Sequence, residues 1–327
     1  MDGESECATG WPNTANRLRC ISRGCRVECV RTVHHRFRVA LAAAALFTLP
    51  SAAFAPWGME GVGVVSTRDD ELRATISPDG AWVVWASPDR PGGPGGGDLW
   101  RARRLDGRWQ HPEAVAVDTA DGESAPGFSA DGRWLYFVSN RPGGFGGDDL
   151  YRAPVDAQGG IGQASNLGSA INTRGDEWAP TPSRGGRRLL FASNGARGAR
   201  RHDLFVATWN GKAFTGPRPV PGLATDADEF DAAWLDDGNG IVFARSVDAS
   251  SKPTRLYVAT CRAGAYTSVE PLALAFNTGE ARTQAPVLDW NRPNEMLVSG
   301  AAPSPKAGKS DIYRILVPSV HGDGSCR

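Results

Sequence analysis

Four glutamates, Glu71, Glu123, Glu177 and Glu229, recur at near-constant spacing, and each follows a threonine by four residues (Thr67, Thr119, Thr173 and Thr225). Brought to one channel mouth, four carboxylates could hold a calcium ion or receive a basic segment of a partner. Each could equally bond backbone groups of the adjoining blade, and recurrence with the repeat favours that reading. Glycoside hydrolysis uses two carboxyl groups roughly 5–9.5 Å apart in dissimilar roles, and four acids in one equivalent context do not resemble that arrangement. The loops DRPGGPGGGD (89–98) and NRPGGFGGDD (140–149) present Arg90, Arg141 and Phe145 as candidate contact residues. Glycine clusters cradle phosphates where they open onto a helix N-terminus, whereas a strand follows each of these loops. AGKS at 307–310 has Pro303 where a phosphate loop needs its first glycine. His111, His202 and His321 have no metal-ligand spacing, and no G-x-S-x-G nucleophile turn is present. No catalytic residue and no resident metal is assigned from these patterns.

The elements that must position these residues come from an internal repeat. Four segments begin with a glutamate and run to a serine: ELRATISPDGAWVVWAS (71–87), ESAPGFSADGRWLYFVS (123–139), EWAPTPSRGGRRLLFAS (177–193) and EFDAAWLDDGNGIVFARS (229–246). A fifth, APVLDWNRPNEMLVS, starts at 285. The first turn position falls at Ser77, Ser129, Ser183, Asp236 and Asp289, at spacings of 52, 54, 53 and 53 residues. DLW (98), DLY (149), DLF (203), RLY (255) and DIY (311) then follow in register, so Arg255 stands where the other repeats have aspartate. Those aspartates are expected to bond turn backbones.

Each repeat predicts four short strands: one before an SPDG-type turn, an apolar second, the DLY strand, and a fourth after a glycine–aromatic turn. Four strands per tandem unit predicts an all-β chain folded as a β-propeller of five four-stranded blades, with six blades as the alternative count. Blade repeats start near 71, 123, 177, 229 and 282. The fifth lacks a fourth strand at its C-terminal end, and GVGVVST (residues 61–67) is a fourth strand without a preceding repeat. The N-terminal strand 61–67 is therefore expected to complete the last blade, which leaves no open edge.

Composition agrees. Glycine (40) and proline (23) make up 63 of 327 residues, which excludes an all-helical chain, and 11 Trp, 12 Phe and 5 Tyr supply a core. The 36 basic and 36 acidic residues balance, so net charge points to no nucleic-acid partner. Length alone would suggest about two domains, and the repeat reduces this to one propeller domain over 56–327, expected to be a monomer.

Residues 34–38 (HHRFR), the eleven-residue apolar run Val39–Leu49 and the small residues PSAAFA describe a secretory signal peptide over 33–55, cleaved after Ala53 or Ala55. The run is too short to span a bilayer, which takes about 20 apolar residues. Residues 1–32 hold Cys7, Cys20, Cys25 and Cys29 without apolar periodicity, and are expected to be an untranslated or unstructured extension, with a true start near Val30 or Val33. Cys261 and Cys326 alone would be exported, and two thiols in an oxidising compartment suggest a disulfide between them.

The strings SPDGAWVVWAS, SADGRWLYFVSNRPGGFGGDDLY and NLGSAINT resemble the WD40-like propeller repeat of the TolB type, over residues 61–317. That resemblance implies a propeller, a place in the bacterial cell envelope (periplasmic or secreted) and the binding of an envelope protein or peptide. Counterparts of the α/β domain of TolB itself, and of the peptidoglycan-binding or hydrolase domains of its relatives, are not expected within residues 1–327. The leading expectation is a non-catalytic protein-binding scaffold. The alternative is a five-bladed propeller that binds or cleaves carbohydrate, for which solvent-open tryptophans would be the sign.

Overall fold

The computed structural model describes residues 57–246, 253–279 and 282–326, together with the backbone of 20–22 and 27–29. The chain divides into two units, Met1–Ser51 and Ala52–Arg327. In the first, β1 (Cys20–Ser22) and β2 (Val27–Cys29) pair antiparallel, with Cys20 opposite Cys29. The expected signal segment and its cleavage positions lie outside the described residues.

The second unit is built from five antiparallel four-stranded sheets. Blade one is β4 (Leu72–Ile76), β5 (Trp82–Ser87), β6 (Asp98–Leu105) and β7 (Arg108–Ala114). Blade two is β8 (Glu123–Phe128), β9 (Trp134–Ser139), β10 (Asp149–Pro154) and the two-residue β11 (Ser165–Asn166). Blade three is β12 (Glu177–Pro182), β13 (Arg188–Ser193), β14 (Asp203–Trp209) and β15 (Phe214–Pro219). Blade four is β16 (Asp228–Leu235), β17 (Gly240–Ser246), β18 (Thr254–Arg262) and β19 (Ala265–Pro271). Blade five joins β20 (Thr283–Leu288), β21 (Glu295–Gly300) and β22 (Asp311–Leu316) to β3 (Trp57–Met59) from the other end of the chain. The inner strands β4, β8, β12, β16 and β20 neighbour one another in a closed ring, so the count is five and not six.

The N-terminal strand does close the last blade, but it is Trp57–Met59 and not residues 61–67. Gly61 and Gly63 take left-handed φ values of 58° and 80°, which an extended strand does not accommodate. The chain coils there instead: the amides of Val64 and Val65 both donate to the Gly61 carbonyl, and Val65 is fully buried. Ser66 is bonded both ways to Ile312, through its amide-accepting hydroxyl and its donation to the Ile312 carbonyl. Trp57 then packs edge-on to Phe276 and Tyr313, each at 5.2 Å, which anchors the closing strand in the core.

Second strands are buried along nearly their whole length, as their apolar runs require of strands covered on both faces. The turn aspartates hold the loops before the third strands: Asp98 accepts from the Gly95 amide at 3.2 Å, Asp149 from Phe145 at 2.6 Å and Asp311 from Ala307 at 3.0 Å. Register refines one correspondence. Arg255 pairs with Arg245, as Asp98 pairs with Ser87, so Arg245 and not Ser246 holds the serine position in blade four.

Candidate functional site

Every inner strand carries a β-bulge within its first few residues, and the residue at the bulge has positive φ: Arg73 (42°), Ala125 (49°), Ala179 (54°), Asp231 (46°) and Ala285 (56°). Such a conformation is costly for residues other than glycine, and a bulge is the usual way to re-aim a side chain. Here the five equivalent positions lie around the propeller axis. Alanine at three of them leaves room for the two long side chains, and Arg73 meets Asp231 there, Nη1 to Oδ1 at 3.5 Å. Arg73 is 2% exposed and also donates through Nη2 to the Thr181 hydroxyl (2.7 Å) and the Pro180 carbonyl (3.3 Å). Burial lowers the pKa of Arg73 and raises that of Asp231, and each ion opposes the shift of the other.

The ion pair divides the channel. Beyond it, among Gly127, Pro180, Trp234 and Trp290, about 10 Å³ remains. At the other mouth a funnel of about 210 Å³ stands open, walled by Leu72, Ser124, Trp178, Phe230, Gln284 and Asp148. The Trp178 ring stacks on His202 at 3.8 Å and its Nε1 donates to Asp148 Oδ2 at 2.8 Å. Burial holds the Asp148 carboxyl above the usual range, and the Trp178 bond opposes this. Asn194 donates to His202 Nε2 (3.1 Å), which leaves Nδ1–H to donate to Asp228 (2.9 Å). The indole is thereby fixed as a rigid wall.

The four glutamates lie beside this funnel and do not open into it. Glu71, Glu123, Glu177 and Glu229 are all at most 2% exposed. Each accepts from the hydroxyl and the amide of its threonine, at 2.7 Å twice for Thr173 and Glu177 and at 2.9 and 2.7 Å for Thr119 and Glu123. Ser139 and Ser193 donate to Glu123 and Glu177 at 2.6 and 2.7 Å, and Arg245 takes the serine's place on Glu229 at 2.8 Å. Burial pushes the Glu71 carboxyl up to about 7. In blade five Thr283 stands at the glutamate position and donates to the Phe276 carbonyl. Among the described residues no three His, Cys, Asp or Glu side chains converge as metal donors would.

The loop arginines also fold inward. Arg141 donates to Glu123, Ser139 and the Val117 carbonyl, and lies over Phe137 and Tyr151. Arg90 donates to the Val64 carbonyl and lies over Trp85 and Trp100. Arg245 places a third guanidinium in the same setting, on the Leu223 carbonyl and over Phe243 and Tyr257. Phe145 alone of the three candidate loop residues is open to solvent, at 47%. Glu123 pairs with Ser139, so the loop after β9 that carries Phe145 leaves from the same end of the propeller as the funnel.

Sequence reading missed Arg73, Asp231 and Trp178. A signal existed: the third residue of the repeat reads R, A, A, D, A, a complementary pair among alanines. Every tryptophan among the described residues is buried or half-buried, and Trp85, Trp100 and Trp234 are core. Cys261 and Cys326 are disulfide-bonded, with Cα atoms 6.0 Å apart.

No protein-family model matches the chain, and no curated protein matches it. Among solved structures the chain is similar to TolB from Acinetobacter baumannii, at 13% identity and a TM-score of 0.47, covering 77% of this chain and 56% of that one. It is similar to an alpha-L-arabinofuranosidase from Lactobacillus brevis, at 11% identity and a TM-score of 0.49, covering 78% and 92% of the two chains. A periplasmic gluconolactonase from Pseudomonas aeruginosa gives 19% identity and a TM-score of 0.43, covering 76% and 73%. The chain thus spans little more than half the length of the first of these.

Proposed function

We propose that this five-bladed propeller is an exported, non-catalytic binding module of the cell envelope that grips a segment of a partner protein at the funnel mouth. The observation that carries the reading is the Arg73–Asp231 plug beneath an open funnel of about 210 Å³. A side chain that enters stops at a fixed ion pair, between the Trp178 wall and Phe230. Asp148 and Asp231 are anchored by Trp178 and Arg73, an arrangement that suits recognition better than proton transfer. Phe145 offers an exposed aromatic contact at the same end, the residue type that anchors interfaces. Export is supported by the apolar run before residue 50 and by the Cys261–Cys326 bridge, a bond of oxidising compartments.

A photoreactive phenylalanine analogue placed at position 145 in living cells tests the reading. A covalent adduct with an envelope protein is expected, and it should disappear when Trp178→Ala is added. Recovery of no protein adduct overturns it. Binding to neutral glycans on an array, competed by the same Trp178 change, would then assign the funnel to carbohydrate.

A further inference from the structure

At the opposite end from the funnel, a groove of about 340 Å³ runs between blades two and three. Arg133, Arg152, Arg184 and Arg187 line it, with Trp134 and Trp209 as aromatic walls. Its single acid, Asp131, is paired with Arg133 at 2.8 Å. The Arg152 guanidinium lies between the two indoles, 4.0 Å from Trp134 and 5.2 Å from Trp209. Among the described residues Arg152, Arg184 and Arg187 have no carboxylate within 4.0 Å.

The repeat itself shows that this positive charge is local. In blades one and two the third turn residue is Asp79 or Asp131, which accepts from the Ser77 or Ser129 hydroxyl and caps the turn. Blade three reads Ser183-Arg184-Gly185-Gly186-Arg187, so glycine replaces the capping acid and an arginine precedes it. In blade one Arg101 faces Glu113 across the third and fourth strands and pairs with it at 2.6 Å. Arg152, at the same place in blade two, faces Ser165. Two carboxylates that other blades supply are thus missing from one groove, and the arginines they would neutralise remain.

We propose that this groove binds an acidic sugar chain. Guanidinium groups recognise carboxylate and sulfate oxygens in bidentate fashion, and indole edges and faces pack against sugar rings. The volume lies in the range of small-ligand sites. A nucleic acid is disfavoured because the basic residues occupy one groove, whereas residues 56–327 as a whole carry 29 basic against 32 acidic side chains.

Calorimetry on the exported chain with trigalacturonate, a neutral trisaccharide of the same size and a single-stranded DNA oligomer tests the proposal. Trigalacturonate is expected to bind and to weaken as salt rises from about 50 mM to about 500 mM, while the neutral trimer does not bind. Arg184→Ala/Arg187→Ala should weaken binding about tenfold or more with an unchanged melting temperature. Gly185→Asp, which restores the acid, should weaken it without loss of fold. No binding of trigalacturonate, equal binding of the neutral trimer, tighter binding of DNA, or an unaffected double variant each overturns the proposal.

Discussion

Arg73 and Asp231 stand 158 residues apart in the chain and meet on the propeller axis at 3.5 Å. Each belongs to a bulge that all five inner strands share, and only these two of the five equivalent positions bear charge. The pair ties blade one to blade four across the axis and sets the floor of the funnel.

Removing one partner leaves the other buried and uncompensated. Arg73→Met is expected to destabilise by about 3–5 kcal/mol, as broken buried pairs do. The double variant Arg73→Met/Asp231→Leu should recover most of that loss. Urea denaturation of the three proteins measures both values, and equal stability of the single and double variants would show that the charges are uncoupled.

Asp118 governs an alkaline loss of stability. Burial pushes its carboxyl up from 3.8 to about 8, with Glu123 and Asp98 adding to the shift and bonds from Leu99 and Val115 opposing it. The native state therefore holds a proton that the unfolded chain releases near pH 4, so stability falls as pH rises from about 4 to about 8. Asn172 and Asn277 occupy the corresponding place in blades two and four, and each also donates to a strand carbonyl. Asp118→Asn should raise stability at pH 8 by about 1 kcal/mol or more and flatten the profile. Glu71, raised to about 7, contributes in the same direction over the lower part of that range. Melting curves between pH 4 and pH 9 read the slope.

Gly185→Asp is expected to stabilise by about 0.5–1 kcal/mol. A Cβ at 185 meets nothing within 4 Å, and the new carboxylate would accept from the Ser183 hydroxyl as Asp79 and Asp131 accept in their turns. Gly186→Asp is the control. Its φ of +66° is strained for any other residue, and that variant should lose about 1 kcal/mol. Thermal melts that rank the two in the opposite order would refute the cap argument.

Reduction of Cys261–Cys326 opens a loop of 65 residues between blade four and the C-terminal segment. The loss expected from chain entropy is about 4 kcal/mol. Denaturation with and without reductant measures it, and Cys326→Ser should reproduce the reduced protein.

Much of this fold is legible in the chain because a blade is a local unit. The turn serines and aspartates, the apolar second strands and the glycine–aromatic turns all act within about fifty residues, so their recurrence predicts five sheets of four strands. The closing strand was misplaced by a few residues because GVGVVST has the β-branched content of a strand. Two left-handed glycines coil it, and that conformation depends on Val65 reaching the core. The glutamates were recognised by their spacing, but spacing carries no direction. Only the folded chain shows each carboxylate turned back to its own threonine.

The sequence by itself determined the repeat, its four-strand plan and the turn chemistry, since these follow from short-range propensities and hydrogen bonds along one blade, whereas the count of five and not six was set by the ring of neighbouring inner strands. The tertiary structure alone decided which side chains share the axis. Ring closure brings β4 beside β20 and sets Arg73 opposite Asp231, and the inter-blade register gathers four arginines with one acid into a single groove. Both are long-range juxtapositions, fixed by the packing of whole blades against one another and encoded in no local stretch of the chain.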